Sequence, residues 1–304
     1  MKDFVLYSGS SNLPLAQEVA KLLNITLGKV DLTRFADGEL RPWIQDDIRD
    51  KTVIVLESLS YPMDEHVMEL VLMGDAIRRC APKRTIAVIP YLGYARQDKL
   101  HRPGEPVSAR VMVKFLEVSQ FAEIIGVDFH NNAIVGFFEI PVTHVSALDT
   151  IAAEIKKMGI KDGVVVSPDV GGSKRARNMA YFLDMPLAVM EKRRFLDKHD
   201  TTETYQIIGE VKGKTAIICD DVISTGGTTV NASVSLKEAG ATRIIATTTH
   251  GIFAGDAVEK LTNSPIEVVL ATNTINIPKE KQFKKLKIVS AAPLLADAIA
   301  TLVR

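Results

Sequence analysis

A chain of 304 residues has room for two domains of roughly 150 residues each, and 46% apolar with 24% charged residues excludes disordered, collagen-like and low-complexity classes. Lysine plus arginine total 37 and aspartate plus glutamate total 37, so the basic excess of a duplex nucleic-acid binder is missing. Cys80 and Cys219 are too few for a disulfide framework or a zinc cluster, and there is neither a signal-peptide pattern nor an apolar run near the ~20 residues of a membrane span, so a soluble cytoplasmic protein is expected.

The chain leaves Met1, Lys2 and Asp3 for an apolar, strand-like stretch and then an amphipathic helix over 15–23. Strands are predicted at 53–56, 86–90 and 124–127, with helices over 67–80 and 108–118. The central stretch 139–148 holds Pro141 and is the least periodic, so a boundary is expected there, giving domains of residues 1–144 and 145–304. Beyond it, helices over 150–158, 174–183, 228–239 and 294–302 alternate with strands at 164–167, 216–219, 244–248, 268–270 and 288–290. The polar stretch 195–206 reads as a mobile loop. Each predicted strand is a continuous apolar run, the mark of a parallel strand covered on both faces. Strands alternating with helices give an α/β fold with mainly parallel sheets flanked by helices, the final helix being free to pack back on the first domain.

The sharpest local signal begins at Asp220 and Asp221, where a strand ends in two carboxylates. Ser224, Thr225, Gly226, Gly227 and Thr228 follow and open a helix. Ligands of open α/β sheets bind at the carboxyl ends of strands. The glycines let backbone approach a ligand, and a helix N-terminus offers unpaired N–H groups to phosphate. Two acids disfavour a phosphate, so they suit sugar hydroxyls or a hydrated cation beside it. The plainer alternative is a strand-to-helix turn with a threonine cap.

This stretch is similar to the ribose-phosphate loop of type I phosphoribosyltransferases and ribose-phosphate pyrophosphokinases. The first half distinguishes the two. Tyr94, Ala95, Arg96, Gln97, Asp98 and Lys99, with Gly104 to Ala109 beyond, resemble the pyrophosphokinase ATP segment. Phe35, Ala36, Asp37, Gly38 and Glu39 resemble its adenine-contacting loop, and Asp128, Phe129 and His130 its metal-binding turn. Ser167 to Gly172 and the run Glu191, Lys192, Arg193, Arg194 complete the set in family order. The whole chain therefore resembles the ribose-phosphate pyrophosphokinase family. That resemblance implies two phosphoribosyltransferase-type α/β domains with active-site groups between them. It also implies transfer of the pyrophosphoryl group of ATP to ribose 5-phosphate, releasing AMP, with Mg2+ as cofactor.

By the same resemblance Asp37, Gly38, Glu39, Arg96 and Gln97 bind ATP, and His130 and Asp169 bind magnesium. Lys192 serves catalysis, while Arg194, Asp220, Asp221, Ser224, Thr225, Gly226, Gly227 and Thr228 hold ribose 5-phosphate. Homo-oligomers are implied too, with residues 35–39 reaching a neighbouring subunit's nucleotide. Where many members carry an acid this chain has Ser224, so one carboxylate near the ribose is lost.

Taken alone, these residues have plainer readings. An Arg-Gln-Asp-Lys turn is commonly solvated surface, although a guanidinium fork matches polyphosphate oxygens. Residues 37–39 read as a simple turn and 191–194 as a solvated face. A histidine two residues after Asp128 reads as a hydrogen-bonded core group, and Asp169 as a helix-capping acid. Gly209, Gly213, Lys214 and Thr215 imitate a P-loop, but the glycines are one residue too close and a strand follows. Two further classes stay open: a phosphoribosyltransferase that needs no ATP, and a non-catalytic regulatory relative.

Overall fold

The computed structural model describes residues 3–100, 102–193 and 204–303. It divides into two compact units. One takes in Met1–Ser146, Thr274–Asn276 and Ser290–Arg304, the other Ala147–Asn273 and Ile277–Val289. No helix among the described residues is long and apolar enough to cross a membrane.

In the first unit β1 (Phe4–Ser8) leads through α1 (Leu13–Leu22) to a hairpin of β2 (Val30–Arg34) and β3 (Leu40–Ile44). Then come β4 (Thr52–Leu56), α2 (Met63–Arg79), β5 (Arg84–Ile89), α3 (Ser108–Glu117), β6 (Glu123–Val127) and β7 (Val142–Val145). A five-stranded parallel sheet runs in the order β1-β4-β5-β6-β7. Val53 and Val55 of β4 and Ala87 and Ile89 of β5 meet Val67, Leu70, Met73 and Ile77 of α2. Helix α2 carries Asp64 and Glu65 in its first turn and Arg78 and Arg79 in its last, as the helix dipole favours.

The stretch 139–148, expected as a boundary, holds β7, the edge strand of this sheet. Its residues are only half-buried and follow Pro141, which cannot donate to a ladder and is tolerated beside an edge. The division between the units falls at Ser146–Ala147.

The second unit contains α4 (Leu148–Lys156), β8 (Gly163–Ser167), α5 (Ser173–Leu183), β9 (Leu187–Arg193), β10 (Thr204–Ile208) and β11 (Thr215–Ile223). It continues with α6 (Gly227–Glu238), β12 (Arg243–Gly251), α7 (Ala257–Asn263), β13 (Val268–Thr272) and β14 (Leu286–Val289). The seven strands run β10-β9-β8-β11-β12-β13-β14, with only β10 antiparallel to its neighbour. Alternation along the strands builds two cores. Val164, Val166, Ala216 and Ile218 pack with Ala232 and Leu236 of α6. Val165, Ile217 and Cys219 face the other way, toward Ile151 of α4 and Met179 of α5. A strand covered on both faces must be apolar at every position.

After β14 the chain returns to the first unit as α8 (Ala292–Leu302), which packs on α1 and β7. Residues 274–276 make a shorter return, where the Thr274 carbonyl accepts from the Ser58 hydroxyl at 2.5 Å. Part of the polar stretch 195–206 forms β10, which pairs with β9; residues 195–203 lie outside the described residues.

Beyond β4, Glu57 and Glu69 are both buried against Gly9. A Cβ on Gly9 would stand 1.4 Å from Glu57 Oε2 and 3.0 Å from Glu69 Oε1, so only glycine fits. The Ser10 N–H donates to Glu69 Oε1 at 2.6 Å and the Ser11 N–H to Glu57 Oε1 at 3.3 Å. Glu57 Oε2 has no partner among the described residues. Burial, and then repulsion from Glu69, push the Glu57 carboxyl well above its ordinary range. Above the ordinary value of 4.5 the unfolded chain releases this proton while the folded chain retains it. Stability from this site therefore falls as pH rises. Glu57→Gln should be more stable than wild type by about 1–3 kcal/mol near pH 8, the usual cost of an unsatisfied buried group. Its advantage should shrink toward pH 5. Urea unfolding at both pH values reads it, and a difference that does not vary with pH would refute the assignment.

Candidate active site

In the first unit, Asp37, Gly38 and Glu39 sit exposed at the tip of the β2–β3 hairpin. The turn closes through the Gly38 N–H to the Phe35 carbonyl at 2.9 Å, and the Glu39 N–H donates to Asp37 Oδ1 at 3.3 Å. Arg34 donates to the Gly38 carbonyl at 2.7 Å and pairs with Glu65. Arg41 lies 5.3 Å from the Phe35 ring centroid. The tip is thus an ordered turn with outward carboxylates.

Arg96 and Gln97 lie beyond β5, Arg96 exposed and Gln97 half-buried. Gln97 holds the start of α3: its carbonyl accepts from the Ala109 N–H at 3.1 Å, and its side-chain oxygen from the Ser108 hydroxyl. Its side-chain N–H2 group is the donor end of the residue. Asp98 accepts from the Asn131 amide at 2.7 Å, joining this turn to the one after β6 that carries His130. His130 is exposed rather than a core group. The hydrogen-bonded histidine beside this turn is the half-buried His144, whose Nε2 accepts from the Phe129 N–H at 2.9 Å and whose ring stacks on Phe129 at 4.9 Å. Buried Asp128 accepts from the Ser146 hydroxyl at 2.8 Å. The first unit therefore gathers Arg96, Gln97 and His130 on neighbouring turns, and Asp98, Asn131 and His144 hold them there. Sequence reading had no signal for these holding contacts beyond the motif positions.

In the second unit, Asp169 is exposed on the turn between β8 and α5, and its Oδ1 accepts from the Gly172 N–H at 2.7 Å. This bond closes the turn ahead of α5, whose N-cap is Gly172 and which has no side-chain cap bond, so the expected capping role is not seen. Lys192 lies on β9 opposite Tyr205 of β10. Arg194 lies outside the described residues.

The strand that was expected to end at Cys219 runs on to Ile223. Its pairing with β8 stops at Ile218, while pairing with β12 continues through Asp220, Val222 and Ile223. Beyond the end of β8, Asp220 and Asp221 stand half-buried. The Thr248 hydroxyl donates to the Asp221 carbonyl at 2.8 Å, and the Asp221 N–H to Asp220 Oδ1 at 2.9 Å. Burial first, then the Asp221 charge, with a smaller push from Asp169, raise the Asp220 carboxyl far above its ordinary range. A cation or the hydroxyl donors of a ligand would relieve that repulsion.

Ser224 is half-buried, and its carbonyl accepts from the Ala254 N–H at 2.9 Å. Thr225 and Thr228 are exposed, and Gly226 is the N-cap of α6. No side chain caps that helix, so its first N–H groups remain for an anion. Among the described residues no group of three or more His, Cys, Asp or Glu side chains forms a ready metal cage. Magnesium needs no such cage, because it binds through one or two carboxylates, waters and substrate phosphates.

Comparison with known proteins places these segments in context. The family described as the N-terminal domain of ribose phosphate pyrophosphokinase matches residues 4–119, and the phosphoribosyl synthetase-associated domain matches residues 194–304. Ribose-phosphate pyrophosphokinase 1 of Streptococcus pyogenes serotype M3 is 42% identical over 299 residues, spanning 98% of this chain and 93% of the relative. Ribose-phosphate pyrophosphokinase of Bacillus subtilis is 40% identical over 298 residues, with the same coverage. The crystal structure of phosphoribosylpyrophosphate synthetase from Mycobacterium smegmatis superposes with a TM-score of 0.92 at 36% identity, covering 99% of both chains.

The two loop glycines should respond differently to alanine. Gly226 has a φ of +75°, whereas an added Cβ on Gly227 would meet only Thr225 Oγ1, at 4.0 Å. Gly226→Ala should destabilise by about 1–2 kcal/mol, the cost of a left-handed L-residue, and weaken phosphate binding by moving the helix N-terminus. Gly227→Ala should leave stability within about 0.5 kcal/mol. Thermal unfolding with and without ribose 5-phosphate reads both; equal losses would contradict this account of the turn.

Proposed function

The chain belongs to the ribose-phosphate pyrophosphokinase family, and from that premise we propose how its residues divide the work. It is an enzyme that transfers the pyrophosphoryl group of ATP to the anomeric hydroxyl of ribose 5-phosphate. The products are 5-phosphoribosyl 1-diphosphate, used in nucleotide synthesis, and AMP. The anomeric oxygen attacks the β-phosphorus, a bond from that oxygen to phosphorus forms, and the bond to the bridging oxygen of AMP breaks. Such transfers depend on positioning and charge neutralisation more than on covalent help from the protein.

The assignment of ribose 5-phosphate is carried by one observation. The half-buried Asp220 and Asp221 lead directly into the uncapped N-terminus of α6. The acids suit the ribose hydroxyls, and Ser224, Thr225, Gly226, Gly227 and Thr228 suit the 5-phosphate, with Arg194 clamping it as in the enzymes that this sequence resembles. Asp37, Gly38, Glu39, Arg96 and Gln97 bind ATP, the guanidinium of Arg96 matching polyphosphate oxygens. Mg2+ suits the Asp169 carboxylate together with waters and substrate phosphates, and His130 and Asp169 are the residues that would hold it; when bound it would neutralise polyphosphate charge. The first unit is the ATP-binding domain and the second the ribose 5-phosphate domain. The enzyme works in the cytoplasm as a homo-oligomer in which residues 35–39 serve a neighbouring subunit's nucleotide.

Product analysis with ATP, magnesium and ribose 5-phosphate tests the reaction. AMP should form one-to-one with phosphoribosyl diphosphate, and ADP formation would sink the reading.

Lys192 is assigned to the chemical step. As AMP departs, negative charge moves onto its bridging oxygen and the transferred oxygens, and an ammonium that meets charge there acts on kcat. Lys192→Ala should lower kcat roughly a hundredfold to a thousandfold with the KM for ATP little changed, matching the loss of one preorganised charge donor. Arginine should rescue poorly, because a planar fork does not substitute for a point charge. A kcat within threefold of wild type would remove Lys192 from the chemistry.

A further inference from the structure

We infer that the first turn of α2 positions the nucleotide, with Asp64 acting through Tyr94 on the turn that carries Arg96 and Gln97. This rests on the reading that those two residues bind ATP. Tyr94 has a φ of +62°, a left-handed conformation that L side chains rarely adopt, so the turn needs something to hold it. Beneath it Tyr91, Leu92 and Ala95 are buried, which fixes one side only. On the other side the Tyr94 hydroxyl donates to the Asp64 carboxylate.

That bond governs the residues expected to meet ATP. The Tyr94 carbonyl accepts from the Gln97 N–H at 3.2 Å, with Arg96 between them, so the placement of Tyr94 sets where Arg96 and Gln97 stand. The far end of the turn is held at α3 through Ser108 and Ala109. Losing the Asp64 contact would leave the turn to its buried residues, the Asp98–Asn131 bond and α3, with the Tyr94 side chain no longer tied to α2.

Asp64 is not engaged in capping its own helix, since α2 has no side-chain cap bond. The carboxylate also raises the Tyr94 phenol above its ordinary value, chiefly through this hydrogen bond, so the phenol remains a donor throughout the neutral range. The neighbouring residue does parallel work. Glu65 pairs with Arg34, and Arg34 holds the Gly38 carbonyl at the hairpin tip. Consecutive acids on one helical turn therefore anchor both segments assigned to the nucleotide.

The alternative role for Asp64 is a plain helix-dipole acid, which predicts a loss of stability without selective effect on ATP. Steady-state kinetics of Tyr94→Phe, Asp64→Ala, Asp64→Asn, the double Asp64→Ala/Tyr94→Phe variant and Arg96→Ala separate the two. Tyr94→Phe and Asp64→Ala should each raise the KM for ATP about fivefold, the size of one hydrogen bond, with the KM for ribose 5-phosphate within twofold. The double variant should be no worse than either single one. Asn, which still accepts from the phenol, should recover part of the loss. If Arg96→Ala raises the KM for ATP while Tyr94→Phe does not, the inference fails and the nucleotide reading stands. If Arg96→Ala leaves it unchanged, both fall. Equal rises in both KM values for Asp64→Ala, with no rescue by Asn, would also overturn the inference.

Discussion

Parallel strands covered on both faces confine polar chemistry to their ends, and the rest of this molecule follows from that confinement. In the first unit the polar turns come after β4 at Glu57, after β5 at Arg96 to Asp98 and after β6 at Asp128 to Asn131. In the second they come after β8 at Asp169 and at the end of β11. Side chains within the ladders, such as Ile54, Val88, Ile125 and Ile217, are 0% exposed and cannot meet a substrate. Ligand-facing groups therefore collect at the carboxyl edges, the general site of binding in open α/β sheets. Strand length then decides what is displayed. Because β8 pairs with β11 only as far as Ile218, two carboxylates stand beyond the end of that ladder.

Two acid pairs show how the degree of enclosure sets what can relieve a crowded carboxylate. Glu57 and Glu69 press against Gly9, and the Ser10 and Ser11 N–H groups close over them. Crowding there favours the protonated carboxyl of Glu57. Asp220 suffers the same penalties, burial and a neighbouring carboxylate, but it is half-buried beside an uncapped helix. A charge penalty facing a ligand is binding energy in reserve, because a cation or a donor from that ligand removes it.

How much was legible follows from the same physics. Strands β4, β5, β6, β8 and β12 gave continuous apolar runs because both faces are covered. The hairpin β2–β3 and the edge strand β7 gave no such run, since the former is largely half-buried or exposed and the latter half-buried throughout. Helix α7 spans only seven residues, too few for a clear period. The tail of β11 was hidden because aspartates are poor strand formers, and pairing with β12 overrides that preference. At the site, the motif segments could be read from resemblance and from glycine placement. The residues that hold them could not. Tyr94 meets Asp64 30 positions away, Asn131 meets Asp98 across 33, and Phe129 meets His144 across 15. Periodicity and local spacing carry no record of such pairs.

Ser224 fits this electrostatic picture. Resembling enzymes commonly carry an acid there, beside a strand end where Asp220 already feels burial, Asp221 and Asp169. A further carboxylate would add like charge and would oppose any anion at the α6 N-terminus. A hydroxyl removes that repulsion and can donate to an anion at the α6 N-terminus, at the loss of one charged acceptor. The Ser224 carbonyl is fixed by the Ala254 N–H, so the backbone of the turn does not depend on which side chain stands there. The exchange therefore alters charge and leaves the backbone geometry of the turn alone.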